Sequence, residues 1–326
     1  MPPLPSLTLY CTLAPLLSIP SCAIPGALEL ELDRIVAAGC YIGVEAQVSQ
    51  ILACGIPRFA SALRARSLRL LGKIYSSGGA AASPYAAGLP PSASGILHPP
   101  PGESVEAHLA VWRAQLHELT RSAELRPLLA GVNSQAGHDS WHIVEGGARA
   151  RAWLSAALAE GAAEGVPVFH ETHRGRLLST PWAAVEAVRS FPTLQLLADL
   201  SHYPAACEAA PGEALLERAL AELTPACHHV HARVGHAEGP QVADPRLAAH
   251  EADVAGHLRW WLAIGSAAAA AGRTELSMCP EFLPPPYCPR DARGEAVADF
   301  QEVNEYMAGW LQREWVAAGG ALTRRG

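Results

Sequence analysis

The sequence predicts an α/β fold, a (β/α)8 TIM barrel in a single domain over residues 1–326. Three observations predict it. Apolar runs of four to eight residues alternate with Ala-, Leu-, Glu- and Arg-rich segments of ten to twenty, the mark of βα units around a parallel sheet. Eight strands and eight helices can be counted, the number that closes a barrel. The stretch after the first strand, 11–20, contains no glycine, whereas a doubly wound open sheet needs a glycine-rich phosphate turn there.

The expected strands are 7–13, 41–46, 68–75, 128–133, 166–172, 194–199, 228–233 and 275–279. The expected helices are 27–38, 51–65, 105–123, 144–164, 182–190, 211–223, 251–271 and 297–318. Gly39, Gly165 and Gly272 stand where helices should stop. Residues 7–23 are apolar and end in small residues, like a secretory leader, but no Lys or Arg precedes them and prolines interrupt them. The stretch is read as strand one, because without it the count falls to seven. Residues 76–104, rich in Gly, Ala, Ser and Pro, break the rhythm and read as a low-complexity loop insert after strand three.

Half of the residues are hydrophobic and 17% are charged, a globular composition. Lys and Arg number 24 against 31 Asp and Glu, a net charge of −7. That balance argues against a nucleic-acid partner. No window of about 18 residues lacks both charge and proline, so no membrane span is expected. The eight cysteines show no CxxC spacing, and a reduced, cytoplasmic protein is the expectation. The oligomeric state is open; a homo-oligomer is compatible with everything above.

The chemistry gathers late in the chain. Seven of the 14 histidines fall between His170 and His236, with polar residues at the C-terminal ends of expected strands, where barrels place active sites. Residues two apart on a strand share a face, so His229, His231 and Arg233 point together and His228 points away. One inward residue from each of strands five to eight is Glu171, Asp199, His231 and Glu281. Three carboxylates packed around one imidazole repel one another, and a divalent cation removes that repulsion. The donor set favours Mn2+, Mg2+ or Co2+, with Zn2+ the less selective choice. Each residue also has a plainer reading: a strand-end histidine can be a surface hydrogen-bonding group, and Asp199 can be a helix N-cap. His98, His108, His117, His250 and His257 fall in loop or helix contexts and are expected in solvent.

The phrases Gly43-Val44-Glu45, Phe169-His170-Glu171-Thr172, Ala198-Asp199-Leu200-Ser201-His202, His229-Val230-His231 and Pro280-Glu281-Phe282 resemble the xylose isomerase-like TIM-barrel superfamily, from residue 7 to about 315. That superfamily holds sugar isomerases and epimerases, dehydratases and metal nucleases. The resemblance to its ketose 3-epimerase branch implies one metal on Glu171, Asp199, His231 and Glu281, with His202 binding substrate. The branch's substrate Arg falls on Ala237 and its second substrate Glu on Leu177, so both are absent. Arg233 or His236 is the candidate replacement for the Arg, and Arg174, Arg176, Arg233 and His236 are the candidates to hold substrate hydroxyls or a substrate carboxylate.

The implied reaction is proton transfer beside a carbonyl through an enediolate, with Glu171 and Glu281 as catalytic base and acid and a sugar-like small molecule as substrate. The strand-eight loop 281–287 has no glycine, which favours an unphosphorylated ligand. Four other readings compete: a dehydratase or lyase on the same metal site, a non-catalytic barrel, a metal nuclease, and a Schiff-base aldolase on Lys73, the chain's one lysine.

Overall fold

Residues 2–13, 24–76 and 102–325 are described by the structure, a computed structural model. The chain adds a parallel strand with each βα unit, and the eight strands close in chain order: β1 (Ser6–Thr12), β2 (Tyr41–Gln47), β3 (Arg69–Tyr75), β4 (Leu129–Gln135), β5 (Val168–Glu171), β6 (Leu196–Ala198), β7 (Cys227–His231) and β8 (Glu275–Cys279). The (β/α)8 barrel is therefore the fold, with the strand expected at 7–13 inside it as β1. The insert expected at 76–104 lies almost wholly outside the described residues.

Helices α1 (Ala27–Ala37), α2 (Val48–Cys54), α3 (Ile56–Arg64), α4 (Val105–Thr120) and α5 (Ala148–Glu164) belong to the first half of the chain. The second half carries α6 (Pro181–Ser190), α7 (His202–Cys207), α8 (Ala214–Leu223), α9 (Glu251–Ala270) and α10 (Phe300–Ala317). The helix expected over 51–65 is two helices, because Gly55 takes φ 81° between them and Pro57 starts the second. The helix expected from 144 begins at Ala148, after two short 3-10 turns, and ends at Gly165 with φ 63°. Helix α7 escapes the sequence reading; six residues with a proline inside carry too little periodicity.

Contacts gather into two compact units. One holds residues 11–171 with 175–177, and its sheet runs β2–β3–β4–β5 in parallel. Trp112 and Trp153 of α4 and α5 meet edge to face at 5.7 Å, and Trp112 donates to Ser134 Oγ at 2.9 Å. The other holds residues 1–10, 172–174 and 178–325, with β1 beside β8 and β6–β7–β8 in parallel. Its terminal residues clasp β1: Leu7 N–H donates to Ala321 O at 2.8 Å, Thr323 N–H donates to Leu7 O at 2.9 Å, and Trp315 Nε1–H donates to Pro5 O at 2.8 Å.

Two histidines expected in solvent are buried. His108 lies 2.8 Å from Ser76 O through Nδ1 and edge-on to Trp141, while His257 stacks near Trp260 and Trp261. Both sit on the inward stripe of their helices. His98 lies outside the described residues.

Burial lowers the pKa of His170, His228 and His257 from 6.5 to about 4, with Arg273 adding to the effect at His228. These rings stay neutral in the fold, whereas the unfolded chain protonates them below its own value near 6.5. Their contribution is complete above about pH 6.5 and is lost as pH falls toward 4. The unfolding free energy should fall by up to about 1.4 kcal/mol per pH unit for each of the fully buried His170 and His257 across that window, and by less for the solvent-screened His228. Urea midpoints measured from pH 7 to 4.5 check this, and a flat profile contradicts it.

Candidate functional site

Strand β7 shows how the site is made. Its Cys-His-His-Val-His pattern sends Val230 to the helix side and His229 and His231 to the barrel side, all three fully buried. His228 is half-buried and lies on the opposite face. Two residues past the strand, Arg233 keeps the inward direction and is buried as well.

The second unit forms one network at its strand ends. His231 Nδ1 lies 3.0 Å from Glu281 Oε2 and 3.6 Å from Asp199 Oδ2. Arg233 Nη2 donates to that same Asp199 oxygen, lies 2.8 Å from His202 Nε2 and sits 3.6 Å from Glu281 Oε2. Ser201 Oγ–H donates to the other Asp199 oxygen at 2.5 Å and accepts from Arg233 Nε at 3.1 Å. Asp199 does not act as an N-cap: Ser201 precedes α7, and no side chain caps that helix. Burial pushes the Asp199 carboxyl up, but Arg233 and His231 outweigh it and hold the group below the ordinary range.

Tyr287, from the proline-rich loop after β8, lies under the Arg233 guanidinium at 4.7 Å and the Arg174 guanidinium at 5.2 Å. Its hydroxyl is 3.3 Å from His173 Nε2, and His173 Nδ1 is 2.7 Å from Arg174 O. One tautomer satisfies both bonds: Nδ1–H donates to the carbonyl and Nε2 accepts from the phenol. The His173 and His202 rings are 4.0 Å apart. His236 is placed elsewhere. It opens a tight turn closed by hydrogen bonds with Gly239 in both directions, and its ring lies 6.0 Å from that of His250.

The first unit builds its own network on β2–β5. Lys73 Nζ lies 3.1 Å from Glu45 Oε1 and 3.9 Å from Glu171 Oε2. Asn133 Nδ2–H donates to Glu45 at 3.1 Å and to Glu171 at 2.7 Å, and Gln135 Nε2 donates to both Glu171 oxygens at 2.8 Å. Two amides and an ammonium therefore fix the plane of the Glu171 carboxylate. Lys73 serves two carboxylates as a counter-ion, which argues against a Schiff-base role.

In the second unit, Asp199, Glu281 and His231 are buried side by side and offer carboxylate oxygens and a ring nitrogen to a common point. The donor chemistry fits a divalent cation. Asp199 and Glu281 gather around Arg233, and Glu45 and Glu171 around Lys73. Oxygen-rich donors with one nitrogen suit Mn2+, Mg2+ or Co2+. The helix-surface group His117, Glu160 and Glu164 differs: Arg113 and Arg121 already neutralise its two glutamates.

The sequence reading missed Tyr287, Asn133 and Gln135. Asn133 and Gln135 carried a signal, since both are polar residues two apart on a buried strand.

No family model matches the sequence, and no curated protein matches it. Solved structures do match. The D-allulose 3-epimerase from Methylomonas sp. is 13% identical, covers 96% of this chain and 99% of its own, and superposes with a TM-score of 0.60. A D-tagatose 3-epimerase-like protein is 12% identical over 95% and 97%, with a TM-score of 0.56. The probable 3-DHS dehydratase AsbF from Bacillus anthracis is 14% identical over 93% and 98%, with a TM-score of 0.55.

A close backbone contact underlies the second network. A Cβ on Gly235 would overlap the Ser201 carbonyl oxygen, and Gly235 N–H donates to buried His257 Nε2 at 3.3 Å. Gly235→Ala should cost about 1–3 kcal/mol, because a backbone carbonyl cannot swing aside as a side chain does. Gly309→Ala in α10, where a Cβ meets only the end of the Arg313 side chain, should be neutral or stabilising. Urea denaturation of the two variants checks this, and equal midpoints contradict it. In fold, then, the chain is similar to the xylose isomerase-like barrels, epimerases and a dehydratase among them.

Proposed function

We propose that this protein is a divalent-metal-dependent isomerase or epimerase of a sugar or related polyhydroxy carbonyl compound. The observation that carries the reading is the buried group Asp199, His231 and Glu281 at the strand ends of one unit, to which the proposal adds Glu171 from the end of β5. Neighbours of the same fold named as 3-epimerases of D-allulose and L-ribulose support it. A divalent ion held by these four residues supplies Lewis-acid stabilisation of the charge that grows on a substrate carbonyl oxygen.

The chain's own residues supply the proton chemistry. Glu171 and Glu281 are the candidates to take a proton from the carbon beside the carbonyl and return one. Glu171 is held by Asn133 and Gln135, and Glu281 by His231. His202 accepts from Arg233 at Nε2, so its Nδ1 carries a hydrogen; that nitrogen is buried and meets no acceptor among the described residues. A substrate oxygen would satisfy it. Burial, then the charges of His173, Arg233 and Arg174, push the His202 pKa well down, so the ring serves as a neutral donor.

A dehydratase on the same residues is the second reading, supported by the neighbour named as a probable dehydratase. Turnover of a sugar panel in deuterated water with metal present separates them. The isomerase reading expects solvent deuterium at the carbon beside the carbonyl and about a 10²-fold or greater loss of kcat in Glu171→Gln and Glu281→Gln. A product lighter by one water means a dehydratase, and a label-free product means a hydride shift. No turnover across the panel contradicts both enzymatic readings.

A further inference from the structure

We infer that the substrate carries a carboxylate, and that Arg174, stacked on Tyr287, receives it. The inference rests on the isomerase or epimerase reading and narrows its substrate class.

Among the exposed arginines, Arg189, Arg246 and Arg293 each pair with a carboxylate within about 3.1 Å. Arg174 is exposed, and its guanidinium has no ion-pair partner among the described residues; its neighbour is the Tyr287 ring. That ring is fixed. The Tyr287 phenol donates to His173, His173 is tied to the Arg174 carbonyl, and Tyr287 N–H is bonded to Pro284 O at 3.1 Å. The same ring also carries Arg233, which pairs with Asp199. A cation without a counter-ion thus sits on a rigid aromatic platform, one ring away from Asp199 and Glu281. A planar guanidinium in that position matches a carboxylate with two parallel hydrogen bonds, which a hydroxyl cannot provide.

Phosphate is the other anion a sugar could bring, and the backbone argues against it. Barrels hold phosphate on free N–H groups of the loops after strands seven and eight. After β8, Phe282 and Leu283 N–H donate to the side chains of Asn304 and Gln241, the next three residues are prolines, and Tyr287 N–H is committed. After β7, the N–H groups of Gly235, His236, Glu238 and Gly239 are all bonded within the protein. Neither loop offers a phosphate cradle, whereas a carboxylate needs only the guanidinium.

The test is calorimetric binding to the metal-loaded full chain. The probes share one carbon skeleton: D-fructose, D-fructuronate and D-fructose 6-phosphate, with the corresponding D-tagatose series. We expect the uronates to bind at least 10-fold more tightly than the neutral ketoses and the 6-phosphates. Arg174→Gln should bring the uronate-to-ketose ratio to about one, while Arg189→Gln, on a distant surface pair, keeps the wild-type ratio. Equal or tighter binding of the neutral ketoses overturns the carboxylate inference and leaves the isomerase reading standing. Tighter binding of the 6-phosphates, or a ratio unchanged in Arg174→Gln, overturns it too. If metal binds and none of the six probes does, the inference and the sugar reading both fall.

Discussion

Buried like charge is the constraint on which the rest depends. Glu45, Glu171, Asp199 and Glu281 are each no more than 2% exposed, and carboxylates at that depth are tolerated only with compensation. The chain supplies two permanent cations, Lys73 and Arg233, and a shell of neutral donors from Asn133, Gln135, Ser201 and His231. A protein without a function to serve would gain by replacing such residues with apolar ones of similar volume. Carboxylates at that depth, with an imidazole set among them, are what the proposed cation would complete.

The scaffold holds this arrangement rigidly. Every carboxylate sits on a strand or within two residues of its end, and each is tied by at least one hydrogen bond or ion pair to a neighbouring strand or loop. Strands confine a side chain more tightly than loops do, which suits a site that must hold its ligands still. The loops contribute the less constrained parts. The proline-rich loop after β8 brings Tyr287 over Arg233, and the close approach of Gly235 to Ser201 joins the segments after β6 and β7. Positions whose change would disturb the centre therefore extend beyond the groups that would touch an ion.

Much of this is legible in the sequence because strand geometry is simple. A period of two on His-His-Val-His-Ala-Arg decides that His229, His231 and Arg233 share a direction, and the alternation of apolar runs with helical segments decides the barrel. What depends on curvature is not legible. That Lys73 reaches both Glu45 and Glu171, or that Asn133 bridges the same two, follows only once β2, β3, β4 and β5 are in register. Position in a loop hides Tyr287 entirely. His257 could have been placed from its own helix, since Trp260, Trp261 and Ile264 follow it on the buried face. His236 reads as a substrate ligand when only its distance from His231 is counted, yet Gly239 three residues on turns the chain back and takes the ring to His250.

The central claim is that one cation completes the centre with a single imidazole among its donors. Electron-nuclear double resonance of the Mn2+-loaded protein tests it most directly. The account requires one Mn2+ per chain at saturation, coupled to one histidine nitrogen that vanishes in His231→Ala and persists in His228→Ala. Absence of stoichiometric binding, or a nitrogen coupling that survives in His231→Ala, would contradict it.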